Sequence, residues 1–152
     1  MLISTRSRYA LRALARMARM TDRGRETPVS LAFLSEQEQV SVRYLEQIFG
    51  LLRTSGLVKG KRGPGGGYVL GMPPQDITLF DVVDVLETDF LPATCMMGDT
   101  SCSPGTDGQG NRCSLEDVCV TRPLWMTLRD MYYTYMKALT LQDLVEGNLR
   151  EQ

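Results

Sequence analysis

Residues 30–70 hold two short helical patterns, a two-residue break between them, and a glycine-rich basic stretch after them. Ser30 precedes the first pattern, Leu31–Glu38, and Ser41 precedes the second, SVRYLEQIFGLLRTSG; serine at such a position caps a helix. Gly56 is the last residue of the second pattern and can adopt the left-handed conformation that commonly ends a helix. Two short helices joined by a tight turn are typical of a helix-turn-helix, in which the second helix reaches base edges in the major groove. The residues expected on the buried side of this second helix are Val42, Leu45, Ile48, Phe49, Leu51 and Leu52.

The stretch LVKGKRGPGGGYVLG follows directly. Residues 57–59 and 68–70 have the composition of strands, and the loop between them is made of glycine, proline, lysine and arginine. This predicts a β-hairpin, the wing of a winged helix-turn-helix, whose basic tip can enter the minor groove. A nucleotide-binding phosphate loop does not fit, because Lys61 is followed by Arg62 and the loop leads into a strand. A plain flexible hairpin is the alternative.

Charge is distributed unevenly along the chain. Residues 1–76 hold 12 Lys/Arg against 6 Asp/Glu, whereas residues 77–152 hold 5 against 12. The first helix predicted, Ser4–Met20, places Arg8, Arg12 and Arg16 at four-residue intervals opposite its apolar side. A basic half favours a polyanionic partner, although an ordinary solvated surface can carry the same charge.

All four cysteines, Cys95, Cys102, Cys113 and Cys119, fall in one polar segment of a chain without histidine. No secretory leader and no run of about 20 apolar residues is present, so we expect a cytoplasmic protein that does not enter a membrane. Thiols stay reduced there and serve as metal ligands or redox groups. Structural zinc is one alternative, although no closely spaced cysteine pair occurs. A reversible disulfide switch and inert cysteines are the others.

The C-terminal part is predicted to be helical. Residues 77–86 form one helical pattern, a long helix runs from Pro123 to about Leu139, and Thr140 caps a last helix, Leu141–Glu146. The long helix carries two apolar lines. One consists of Leu124, Leu128, Met131 and Tyr135, and the other of Trp125, Tyr132, Met136 and Leu139. Two such lines favour a homodimer in which one of them meets a second copy, the alternative being that both pack on the chain's own core.

The segments STRSRYALRAL, SVRYLEQIFGLLRTSGLVKGKRGPGGGYVLG, the cysteine segment and CVTRPLW…TLQDL together resemble the Rrf-two family of bacterial regulators. The resemblance implies a mainly α fold with a small β-hairpin, and a homodimer that binds double-stranded promoter DNA. Residues corresponding to its DNA contacts are Tyr9, Ser41, Arg43, Tyr44, Glu46, Gln47, Arg62 and Gly63. Arginine suits guanine, glutamine adenine, and glutamate cytosine. Residues better suited to phosphates are Arg6, Arg8, Arg53, Lys59 and Lys61.

Within that family the likeness is greatest to iron–sulfur regulators. It implies that Cys95, Cys102, Cys113 and Cys119 hold a 2Fe–2S or 4Fe–4S cluster, which thiolates commonly bind. Other members take a fourth ligand from a histidine after the last cysteine or from an aspartate in the first helix, but Arg122 and Arg8 stand at those positions. Cys95 is therefore the expected fourth ligand. A small molecule or a carboxylate is the alternative, and the candidate carboxylates are Asp99, Asp107, Glu116 and Asp117.

These patterns predict three parts: a winged helix-turn-helix at residues 1–90, a cysteine-rich cluster-binding loop at 91–121, and a dimerisation helix with a short last helix at 122–152. The expected function is transcriptional regulation controlled by a cluster that responds to redox state, nitric oxide or iron supply. The alternatives are a cluster-free regulator that signals through a partner protein, a thiol switch, or structural zinc. Without histidine or a nucleotide loop, an enzyme is not expected.

Overall fold

The computed structural model describes residues 3–21, 27–87 and 117–149. Of these, residues 3–21, 27–87 and 136–149 belong to one compact unit, and residues 117–135 to a second. The elements are α1 (Thr5–Met20), α2 (Leu31–Glu38), α3 (Val42–Thr54), β1 (Val58–Lys61), β2 (Gly67–Leu70), a 3-10 turn (Pro74–Asp76), α4 (Leu79–Leu86), α5 (Arg122–Ala138) and α6 (Leu141–Glu146). This mainly α architecture with one hairpin confirms the expected fold class.

Side-chain caps define the starts of the helices. The hydroxyl of Ser30 accepts a hydrogen bond from the Phe33 amide at 3.2 Å, and that of Ser41 accepts one from the Tyr44 amide at 3.3 Å. Gln39 ends α2 in the left-handed conformation, with φ of 54°. Thr140 forms a reciprocal capping box with Asp143 at the start of α6. The predicted bounds of α2 and α6 are confirmed because these caps are local signals that the sequence carries.

The core of the larger unit lies between α1, α3, α4 and α6. Its largest fully buried side chains include Leu14, Phe49, Ile77 and Leu141. The expected buried side of α3 is wrong at two positions, since Val42 is 39% exposed and Leu51 is 41% exposed. Val42 is the first residue of the helix, and Leu51 is out of phase with the buried positions around it.

The hairpin is attached to the helical body by a short backbone bridge. β1 and β2 pair antiparallel, from Val58 opposite Leu70 to Lys61 opposite Gly67. Val29, just before α2, exchanges two hydrogen bonds of 2.8 Å with Tyr68, so β2 is paired on both edges. The approach is so close that a Cβ atom on Gly67 would lie 2.4 Å from the Val29 carbonyl oxygen. The hairpin is therefore fixed to the segment that leads into α2.

Candidate nucleic-acid interface

The start of α3 presents a polar, solvent-facing edge. Leu45, Ile48 and Phe49 anchor the helix in the core with no exposed area. The side chains on the opposite face are exposed: Ser41, Arg43, Glu46, Gln47 and Arg53. Tyr44 is half-buried, and its ring meets the edge of the Tyr9 ring with centroids 6.1 Å apart. The structure thus brings together the predicted contacts of α1 and α3.

The tip of the hairpin is basic and exposed. Lys59, Lys61, Arg62 and Gly63 all face solvent. Gly63, at φ of 108°, lies in the left-handed region that favours glycine, and its carbonyl oxygen accepts a hydrogen bond from the Gly66 amide at 2.8 Å. This closed turn places Lys61 and Arg62 at the end of the predicted wing.

Aromatic packing fixes the wing relative to α3. The rings of Phe49 on α3 and Tyr68 on β2 lie 5.0 Å apart in an edge-to-face arrangement. Because Tyr68 also pairs with Val29, movement of the hairpin would disturb both contacts. The polar edge of α3 and the basic tip therefore belong to one compact unit and can meet a ligand together.

The arginine row on α1 is less available than its spacing indicates. Arg8 donates a hydrogen bond to the Thr5 hydroxyl at 3.0 Å. Arg12 and Arg16 instead form ion pairs with Glu38, at 2.8 and 2.5 Å. Glu38 is separated from them by more than 20 residues and was missed, since no local pattern links a residue at the end of α2 to α1.

Of the four predicted cluster ligands, the structure describes Cys119 alone; Cys95, Cys102 and Cys113 lie outside the described residues, as do Asp99, Asp107 and Glu116. The sulfur of Cys119 is 3.4 Å from the Thr121 hydroxyl oxygen, and the thiol is half-buried. This hydrogen bond, with the amide and charge of Arg122, lowers the pKa of Cys119. A thiolate is the form that binds metal, so the residue fits the group that the sequence predicts.

No group of three potential metal-binding side chains occurs among residues 3–21, 27–87 and 117–149. Asp117 is exposed and remains only a candidate carboxylate. The ligand set beyond Cys119 therefore stays a prediction.

α5 carries an exposed apolar line, formed by four residues of the smaller unit. Leu124, Leu128, Met131 and Tyr135 are 53%, 39%, 63% and 44% exposed, respectively. On the second predicted line, Met136 and Leu139 are buried. Trp125 and Tyr132 on that second line are half-buried, so the first line is the more exposed of the two.

A helix-turn-helix followed by a basic hairpin on the same unit defines a winged helix-turn-helix DNA-binding protein. Residues 3–147 match the Rrf2 family, described as iron-dependent transcriptional regulators. The regulator IscR of Escherichia coli O1:K1 is 35% identical over 147 residues, which cover 97% of this chain and 82% of IscR. The chain belongs to the Rrf2 family of transcriptional regulators, which confirms the resemblance found in the sequence.

Solved structures agree with this assignment. IscR of T. potens has a TM-score of 0.71 and 28% identity, covering 100% of this chain and 93% of its own. CymR, described as the global cysteine regulator of B. subtilis, has a TM-score of 0.69 and 32% identity, covering 97% and 98%. These relatives are named as regulators rather than enzymes, in agreement with the sequence. In the part of the chain that the structure describes, no helix has the length and apolar character to span a bilayer.

Proposed function

We propose that this regulator reads a promoter site with the first turns of α3 and grips the adjacent backbone and minor groove with the wing. The observation that carries the proposal is the common placement of an exposed polar helix edge and a basic, closed hairpin tip on one compact unit. The residues proposed to contact bases or the minor groove are Tyr9, Ser41, Arg43, Tyr44, Glu46, Gln47, Arg62 and Gly63. The residues proposed to contact phosphates are Arg53, Lys59 and Lys61.

A comparison of Arg43→Ala with Lys59→Ala tests this division into base contacts and phosphate contacts. Arg43→Ala should weaken binding to the preferred duplex by about 5–150-fold and relax base preference, because one bidentate base contact is lost. Lys59→Ala should weaken binding to every duplex alike. Both are measured by mobility shift on a duplex that the wild-type protein selects from a random pool. If the wild-type protein selects no sequence, the proposal is wrong.

The regulator is proposed to act as a homodimer through the exposed line on α5. Water-exposed apolar side chains at four- and three-residue steps match the seam of two packed helices. Dimerisation supplies two reading heads for two half-sites about one turn of DNA apart. Met131→Glu should give a monomer in sedimentation equilibrium, whereas Asp130→Lys, an exposed position about 100° from Met131 around α5, should stay dimeric. A dimeric Met131→Glu protein would contradict this arrangement.

The signal is proposed to come from an iron–sulfur cluster held by Cys95, Cys102, Cys113 and Cys119. The family description, the IscR relatives and the lowered pKa of Cys119 support this ligand set. When bound, the cluster supplies a centre that oxidants, nitric oxide or iron shortage alter. Cys119 lies three residues before the first residue of α5, and its sulfur is hydrogen-bonded to the Thr121 hydroxyl. A change at this sulfur therefore acts directly on the start of the proposed dimer helix.

Anaerobic purification with iron, sulfide and zinc analysis tests the cluster. Iron and acid-labile sulfide should be present and should fall when each cysteine in turn is changed to serine. A metal-free protein whose DNA affinity changes on oxidation and recovers with reductant would instead establish a thiol switch, which the lowered pKa of Cys119 also favours. Zinc without sulfide would establish a structural metal site.

A further inference from the structure

Glu38 is a buried carboxylate that the proposed function does not use. It ends α2 with only 3% of its side chain exposed. Arg12 and Arg16 on α1 approach its two oxygens at 2.8 and 2.5 Å, and Arg12 also donates to its backbone carbonyl at 3.4 Å. A buried carboxylate is tolerated only when it is well paired. Glu38 meets this condition through its two ion pairs, so its carboxylate orients the two arginines that bind it.

Arg12 connects this carboxylate to the reading helix. Its guanidinium carbon lies 5.7 Å from the centroid of the Tyr9 ring, within the range of a cation–π contact. The edge of the Tyr9 ring meets the Tyr44 ring at an interplanar angle of 89°. Tyr44 lies in the first turn of α3 and donates its amide to the Ser41 cap. A continuous line of contacts thus runs from Glu38 through Arg12 and Tyr9 to Tyr44.

These side-chain contacts connect α2 with α3 through α1, in addition to the backbone of the turn between them. The line of contacts starts on the last residue of α2 and ends on the first turn of α3, while the backbone between them passes through the left-handed Gln39. Side-chain contacts that brace both ends of the turn restrict the direction in which α3 leaves it. The same first turn carries the side chains proposed to reach base edges.

We propose that Glu38 is a positioning residue for base reading: it holds Arg12 against Tyr9 and thereby fixes the start of α3 relative to α1. This inference rests on the proposed reading of DNA by α3. Arg16 provides the internal comparison, because it binds the same carboxylate but its other hydrogen bond goes to the Gln37 side chain, at 3.3 Å.

The test compares Arg12→Lys with Arg16→Lys in the full-length protein. Both variants keep their charge, and both side chains are partly exposed, so folding is preserved. Lysine cannot reproduce the planar guanidinium that lies over the ring. Arg12→Lys should weaken binding to the wild-type-selected duplex by about threefold to tenfold and leave binding to a mixed-sequence duplex of equal length unchanged. Arg16→Lys should bind both duplexes like the wild type.

Glu38→Gln should reproduce the loss caused by Arg12→Lys, and the double variant should be no weaker than either single one, because both changes break the same line. A purely structural effect would lower the affinity for both duplexes together, and that result would overturn the inference. So would wild-type affinity of Arg12→Lys for the selected duplex. If the wild-type protein selects no sequence, the proposed reading of DNA by α3 is wrong as well. Failure of that proposal is thereby distinguished from failure of the Glu38 inference alone.

Discussion

Replacement of Gly67 by alanine should detach the wing from the helical body. The new Cβ atom would lie 2.4 Å from the Val29 carbonyl oxygen and 2.9 Å from the Ser30 amide nitrogen. Both distances are below any ordinary contact, and the opposing atoms are backbone, so they cannot rotate away. Val29 and Tyr68 must therefore move apart, and their two hydrogen bonds of 2.8 Å lengthen or break.

The expected loss follows from these contacts. Two hydrogen bonds contribute about 0.5–1.5 kcal/mol each, and residual overpacking costs about 1–3 kcal/mol. Their sum is about 2–6 kcal/mol of unfolding free energy, a large fraction of the roughly 5–15 kcal/mol of a typical domain. Gly60→Ala is the matched control, since nothing lies within 4 Å of its added Cβ atom; its effect should stay within about 0.5 kcal/mol.

Urea unfolding followed by circular dichroism gives the two free energies, and amide hydrogen exchange at Val29 and Tyr68 shows whether the bridge opens. Exchange at both amides should accelerate in Gly67→Ala, and affinity for the selected duplex should fall because the wing no longer has a fixed place. Equal stability of Gly67→Ala and Gly60→Ala would refute the argument.

Three further changes test other features. Gln39→Gly should raise the unfolding free energy in urea by about 0.5–1 kcal/mol, because glycine relieves the left-handed strain but loses more entropy on folding; a decrease would contradict this. Partial burial opposes the charge of Glu87, yet hydrogen bonds from Ser4 and Ser7 outweigh it and lower the pKa below the ordinary 4.5. The unfolding free energy of wild type should therefore exceed that of Glu87→Gln by a constant amount above pH 4.5. This difference should decrease as the pH falls below 4.5, as measured by urea titrations at each pH. Arg53→Ala should reduce the salt slope of DNA binding by about 0.9 per subunit, whereas Arg16→Ala should leave it unchanged.

The parts of the fold that the sequence predicts are those set by neighbouring residues. Ser30 and Ser41 accept hydrogen bonds from amides three residues ahead, so the helix starts are local events. Tertiary contacts are not predicted in this way. The Val29–Tyr68 bridge and the Glu87–Ser7 hydrogen bond join residues far apart in the chain, and nothing in the intervening sequence records them. For the cysteine segment, the composition predicts a ligand set, but three of its four cysteines lie outside the described residues.

The candidate interface illustrates why formal charge is a poor measure of charge available to DNA. The sequence places three arginines on one face of α1, and on spacing alone Arg8, Arg12 and Arg16 are equivalent. In the fold, Arg12 and Arg16 form ion pairs with Glu38. Arg12 also contacts the ring of Tyr9, which packs against Tyr44 of α3. Two cations of the basic N-terminal half are thereby paired inside the protein. The exposed cations of α3 and the wing, two elements joined by the Phe49–Tyr68 ring contact, are therefore the ones we propose for contact with DNA.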